Sequence, residues 1–85
     1  MVMLENLTAY AMAGHDGRQS ECPPYASSPN GLAFAAGVWC ATHGITPMEV
    51  TMSRGYSVRV NRDLVLNFSA VLDGKACEPV AKWKA

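Results

Sequence analysis

Two histidines and three cysteines carry most of the reactive chemistry in this 85-residue chain. His15, Cys22, Cys40 and His43 are ligands of the kind that hold tetrahedral zinc, and Cys40 and His43 form a Cys-x-x-His pair. The spacing speaks against such a site: six residues separate His15 from Cys22, where a zinc knuckle wants about two to four. A cysteine nucleophile needs a base beside it, and nothing in the sequence brings Cys22 to a histidine. Paired carboxylates, a phosphate-cradling glycine loop and a nucleophile elbow are missing too. The sequence therefore predicts a non-enzymatic protein with no metal and no cofactor. Cys22, Cys40 and Cys77 are an odd number, and residues 1–10, interrupted by Glu5 and Asn6, do not read as an export signal, so free thiols are expected.

Charge is the remaining chemistry. Seven basic and seven acidic residues cancel, which disfavours a nucleic-acid binder. The distribution is uneven. Residues 1–43 hold Glu5, Asp16 and Glu21 against Arg18, a net of −2. Residues 44–85 hold Arg54, Arg59, Arg62, Lys75, Lys82 and Lys84 against four acids, a net of +2. Two candidate binding surfaces follow. One is the polar stretch around Asp16, Arg18 and Glu21; the other is a strand edge carrying Arg54, Arg59 and Arg62. Loops more often carry function, but arginine is enriched at binding hot spots, so the arginine-bearing strands are preferred.

The elements that must position these residues follow from two periods. Met3, Leu4, Leu7, Tyr10 and Ala11 recur at helical spacing over residues 3–13, with Gly14 as the expected stop. Ser28 can cap a second helix starting at Pro29, and Leu32, Ala36, Trp39, Cys40 and His43 continue its face until Gly44 ends it. After Pro47 the period becomes two. Val50 and Met52 alternate, then Tyr56, Val58 and Val60 against Ser57 and Arg59, with Tyr56 expected on the buried side. Leu64, Leu66, Phe68, Ala70 and Leu72 extend the pattern, Asp73-Gly74 reads as a hairpin turn, and a last strand falls at Ala76–Glu78 before Pro79. The result is one α+β domain, with a helical hairpin over residues 3–44 packed on a three- to four-stranded antiparallel meander over residues 45–85. Leu4, Leu7, Trp39, Val58, Leu66 and Phe68 are the expected core.

Between the helices lies a crossing rich in Gly, Ser and Pro, long for a helical hairpin. Ala13, Gly14, Gly17 and Arg18, then Cys22, Pro24 and Tyr25, then Gly37 and Trp39, resemble the ribosome modulation factor family, very small bacterial proteins whose relatives also occur in phage genomes. The resemblance spans about residues 9–43, with Pro23 as a one-residue insertion. It implies a helical hairpin whose crossing packs Tyr25 and Trp39 inward, and it raises ribosome or RNA binding as a function. That family is strongly basic, as rRNA contacts demand, and lacks a strand region. The expectation is therefore a cytoplasmic modulator or inhibitor that docks on a host protein complex, in the manner of phage accessory and anti-defence (anti-CRISPR-like) proteins. Ribosome or RNA binding is the alternative. No 18-residue apolar run is present, so no membrane crossing is expected.

Overall fold

A computed structural model describes residues 6–25 and 27–84. Helix α1 (Leu7–His15) is followed by a 3-10 turn at Gln19–Glu21 and helix α2 (Pro29–Thr42). Strands β1 (Thr51–Ser53), β2 (Ser57–Arg59) and β3 (Leu64–Asn67), a short helix α3 (Ser69–Leu72) and strand β4 (Val80–Trp83) complete the chain. The four strands form one antiparallel sheet in the order β1-β2-β3-β4, the α+β class expected. Met3 and Leu4 lie outside the described residues.

Local chemistry sets the helix ends. The Asn6 side chain accepts a bond from the Ala9 amide, and Ser28 Oγ accepts one from Gly31, with Pro29 in the first turn of α2. All three helices stop on the same Schellman pattern. After α1, Arg18 N–H reaches the Ala13 carbonyl at 2.9 Å and Gly17 N–H the Gly14 carbonyl at 3.2 Å. Ile45 and Gly44 close α2 in this way, and Lys75 and Gly74 close α3. The stop of α1 is thus Gly17, with φ +75°, and Gly14 is inside the helix.

Gly14 is buried because α1 and α2 run antiparallel with their backbones in contact. A Cβ on Gly14 would strike the Phe34 carbonyl, and one on Gly37 the Ala11 carbonyl. Small side chains along both helices, Ala11, Ala13, Ala33 and Ala36, permit this approach and are fully buried. The sheet lies against the helical pair through Val58, Leu64 and Leu66, which join Ala11, Leu32, Ala36, Cys40, Val50, Val60 and Phe68 in one cluster. Val58 and Leu66 are paired residues, and Met52 and Ala81 continue their row on the covered face. Thr51, Arg59, Val65 and Lys82 form the neighbouring row on the open face.

Several sequence-based expectations are corrected. Tyr25 is 73% exposed. The crossing folds on itself: Ser28 donates from both its amide and its hydroxyl to the Tyr25 carbonyl, and the ring is left outside. Trp39 is only partly buried, because it borders an apolar cleft of about 300 Å³ between α2 and α3. Tyr56 has left the strand: Gly55 and Tyr56 both take left-handed backbone angles to reverse the chain, and Tyr56 is 47% exposed. The alternation from Leu64 ends at Asn67, whose Oδ1 accepts the Ser69 amide at 3.0 Å and turns the chain into α3. Asp73-Gly74 ends that helix rather than making a hairpin, and the last strand begins after Pro79, at Val80.

Candidate functional site

The possible zinc ligands do not converge. Antiparallel pairing sets His15, at the end of α1, beside the first half of α2, whereas Cys40 and His43 occupy the last turns of α2. Cys40 is fully buried in the core, and the His43 ring stacks on Trp39 at 3.8 Å while donating from Nδ1 to the Trp39 carbonyl. Among the described residues no three His, Cys, Asp or Glu side chains are grouped to hold a metal ion.

No disulfide joins the cysteines; Cys22 and Cys77 are exposed. Burial pushes the Cys40 thiol up to about 11 from 9.0, because a thiolate would lose its hydration in the core. A thiol reagent at neutral pH is accordingly expected to modify Cys22 and Cys77 quickly and Cys40 only in denaturant, as mass spectrometry would show. The folded chain holds the Cys40 proton more tightly than the unfolded chain. Its stability should then be unaffected by this group below about pH 9 and fall as pH rises toward 11. Rapid labelling of native Cys40 would contradict the packing.

The charged side chains of the crossing are tied to one another. Arg18 Nη1 donates to Glu21 Oε2 at 3.0 Å and Nη2 to Asp16 Oδ2 at 3.4 Å, all three side chains half exposed. Exposed pairs of this kind contribute little stability, but they leave Arg18 already engaged by carboxylates. The structure therefore sets Asp16, Arg18 and Glu21 together as one closed charge group.

The arginines of the sheet are arranged differently. Arg59 projects from the open face of β2, an interior strand, and Arg62 lies in the β2–β3 turn. Arg54 sits in the β1–β2 turn, at the opposite end of the sheet, so the three do not form one patch. The β2–β3 turn is built to hold its shape. Asn61 Oδ1 accepts the Asp63 amide at 2.8 Å, Arg59 Nη1 donates to the Arg62 carbonyl at 3.1 Å, and the Lys84 amide donates to the Asp63 carbonyl at 2.7 Å. That last bond brings the end of β4 to the turn and adds two cations to those expected there, Lys82 and Lys84. Between them stands Trp83, 58% exposed.

Two shallow depressions, of about 430 and 420 Å³, share Arg59, Asp63 and Lys84. Arg62 and Glu49 border the first, and Lys82 and Trp83 the second. Among the described residues none of Arg59, Arg62, Lys82 and Lys84 is within ion-pair distance of a carboxylate. The run Lys82-Trp83-Lys84 was the signal for them: an aromatic interleaved with bases near the end of the chain. Comparison with protein-family models, with curated proteins and with solved structures returned no match. No helix among the described residues is long and apolar enough to cross a membrane.

Proposed function

We propose that this chain is a small non-catalytic modulator that docks on an acidic protein surface of a host macromolecular assembly. The observation that carries it is the gathering of Arg59, Arg62, Lys82 and Lys84 at the β2–β3-turn end of the sheet, next to the β4 margin that carries exposed Trp83, with no carboxylate in ion-pair distance among the described residues. Arginine and tryptophan are the side chains most enriched at binding hot spots. Cations without a carboxylate partner among the described residues bring electrostatic steering toward a negative surface. Asp63 and Glu49 within the same depressions make the patch mixed rather than uniformly basic, which suits a protein surface better than a phosphate backbone.

Ribosome or RNA binding is the second reading, supported by one specific observation: Trp83 is exposed between Lys82 and Lys84, and an exposed aromatic interleaved with bases is what a base-stacking surface requires.

Capture by the tagged chain from host lysate tests both. Arg59→Glu with Arg62→Glu is expected to abolish capture while changing stability by only about 0.5 kcal/mol, since both residues are exposed. Arg18→Glu should leave capture intact, and nuclease should not affect it. Loss of capture on nuclease treatment, with affinity falling steeply in salt, would favour RNA. Loss on Arg18→Glu alone would move the interface to the crossing.

A further inference from the structure

Strand β4 closes one margin of the sheet, and among the described residues no strand pairs with its outer side. The bond from the Lys84 amide to the Asp63 carbonyl marks Asp63 and Lys84 as a hydrogen-bonded pair. Antiparallel ladders alternate, so in the register Val65↔Lys82 and Asn67↔Val80 the same holds, and Leu66↔Ala81 and Leu64↔Trp83 are the non-bonded pairs. The N–H and C=O groups of Ala81 and Trp83 are therefore directed outward. Neither residue makes another backbone bond among the described residues. An edge of this kind is usually blunted by proline, a bulge or charge. Pro79 precedes the strand, and within it the one charge is Lys82. Val80 and Trp83 are 50% and 58% exposed.

A second copy of the chain fits this edge poorly. With Ala81 opposite the copy's Trp83, Lys82 meets Lys82; with Trp83 opposite Trp83, Lys82 meets Lys84. Like charges directly opposed destabilise a sheet. With Ala81 opposite Ala81, Trp83 meets Pro79, which has no N–H to give. Arg59 lies in the same open-face row as Lys82, and the two border one depression, so the positive charge opposite an added strand is larger than Lys82 alone supplies.

We propose that β4 takes up an extended segment of a partner protein as a fifth strand, with a carboxylate set opposite Lys82 and apolar residues on either side of it. Neighbouring strand residues point to opposite faces, so the carboxylate faces Lys82 and Arg59 while its apolar neighbours lie against Ala81 and Trp83. Main-chain bonds supply affinity and the alternate side chains supply selectivity, as in other strand-addition complexes. The inference rests on the protein-docking function proposed above and names the chemistry of the partner.

The test uses the whole chain and synthetic peptides of alternating valine and threonine with a central Glu or a central Lys. Titration followed by amide NMR is expected to shift the Ala81 and Trp83 signals, with the Glu peptide binding about fivefold tighter than the Lys peptide. Lys82→Glu should reverse that order. Ala81→Pro should abolish binding but keep the β3–β4 ladder, because the Ala81 N–H does not point at β3. Shifts confined to β1 or the helices, equal affinity for the two peptides, or Lys82→Glu without effect would each overturn the proposal. So would an oligonucleotide that displaces the Glu peptide from the same amides, or a dimer in sedimentation that Ala81→Pro dissolves. If capture from lysate survives Ala81→Pro and Lys82→Glu yet is lost with the Arg59 and Arg62 reversals, docking on protein stands and the strand-addition mode falls. If nuclease abolishes capture, docking on protein falls, while the peptide titration still decides the role of β4.

Discussion

Gly37→Ala is expected to destabilise the fold by about 3 kcal/mol or more, the upper end of the range for overpacking. The sign makes the measurement decisive. At an exposed helical position glycine is worse than alanine by roughly 1 kcal/mol, so propensity alone predicts a gain. Packing predicts the reverse, because the new Cβ would meet the Ala11 carbonyl, which is backbone and has no rotamer by which to yield. Separation of the helices would relieve the clash but also uncover Ala11, Ala33 and Ala36. Gly14→Ala should behave likewise against Phe34. Urea or thermal unfolding reads the result, with Ala41→Gly as the exposed control. A raised melting temperature in Gly37→Ala would mean that the helices do not touch there.

Leu66→Ala is expected to cost about 2–5 kcal/mol, the range for truncating a buried leucine. Leu66 is fully buried on an interior strand, opposite Val58 on one side and Ala81 on the other. Its neighbour Val65 stands on the open face between Arg59 and Lys82 and is only partly buried. Val65→Ala should therefore cost well under half as much. The pair reports the register directly: a slip by one residue would exchange the two effects. A small domain has about 5–15 kcal/mol of stability in all, so Leu66→Ala alone should lower the melting temperature visibly in any denaturation experiment.

The architecture was legible where one local rule and the long-range packing agreed. Ser28-Pro29 and Gly44 bound α2 in the sequence and in the structure. The alternation of Val58, Leu64 and Leu66 placed the sheet's buried face correctly. Legibility failed where two periods fit the same residues. Phe68 and Leu72 continue a strand alternation from Leu64, yet they are also four apart and so share a helix face. Asn67 decides between them. Its side chain caps the Ser69 amide and also donates to the Gly55 carbonyl and to Ser57 Oγ, contacts that come from a distant hairpin. Asp73-Gly74 was misread for a related reason, since a left-handed glycine suits a helix end as well as a hairpin. At the candidate site, Arg59 and Arg62 were visible as solvent-facing cations. Lys82 and Lys84 were not, because their place depends on where β4 begins, and the sequence pattern points to a strand before Pro79, whereas β4 follows it.

The most extensive pairings join elements close together along the chain: α1 with α2, β1 with β2, β2 with β3 and β3 with β4, whereas the packing of the sheet on α2 is longer in range. Little chain entropy has to be lost before the local pairings form. The helical pair can close while the strands are still being synthesised, and the sheet can then grow one strand at a time against α2. Strand β4 is the last of the described strands in chain order and pairs only with β3. A product cut short before Val80 would leave β3 as the margin, with the groups that bond β4 unpaired along Leu64–Asn67. An apolar run with an open ladder is a template for indiscriminate strand pairing, so the lysine-bearing strand β4 shields the molecule from self-association.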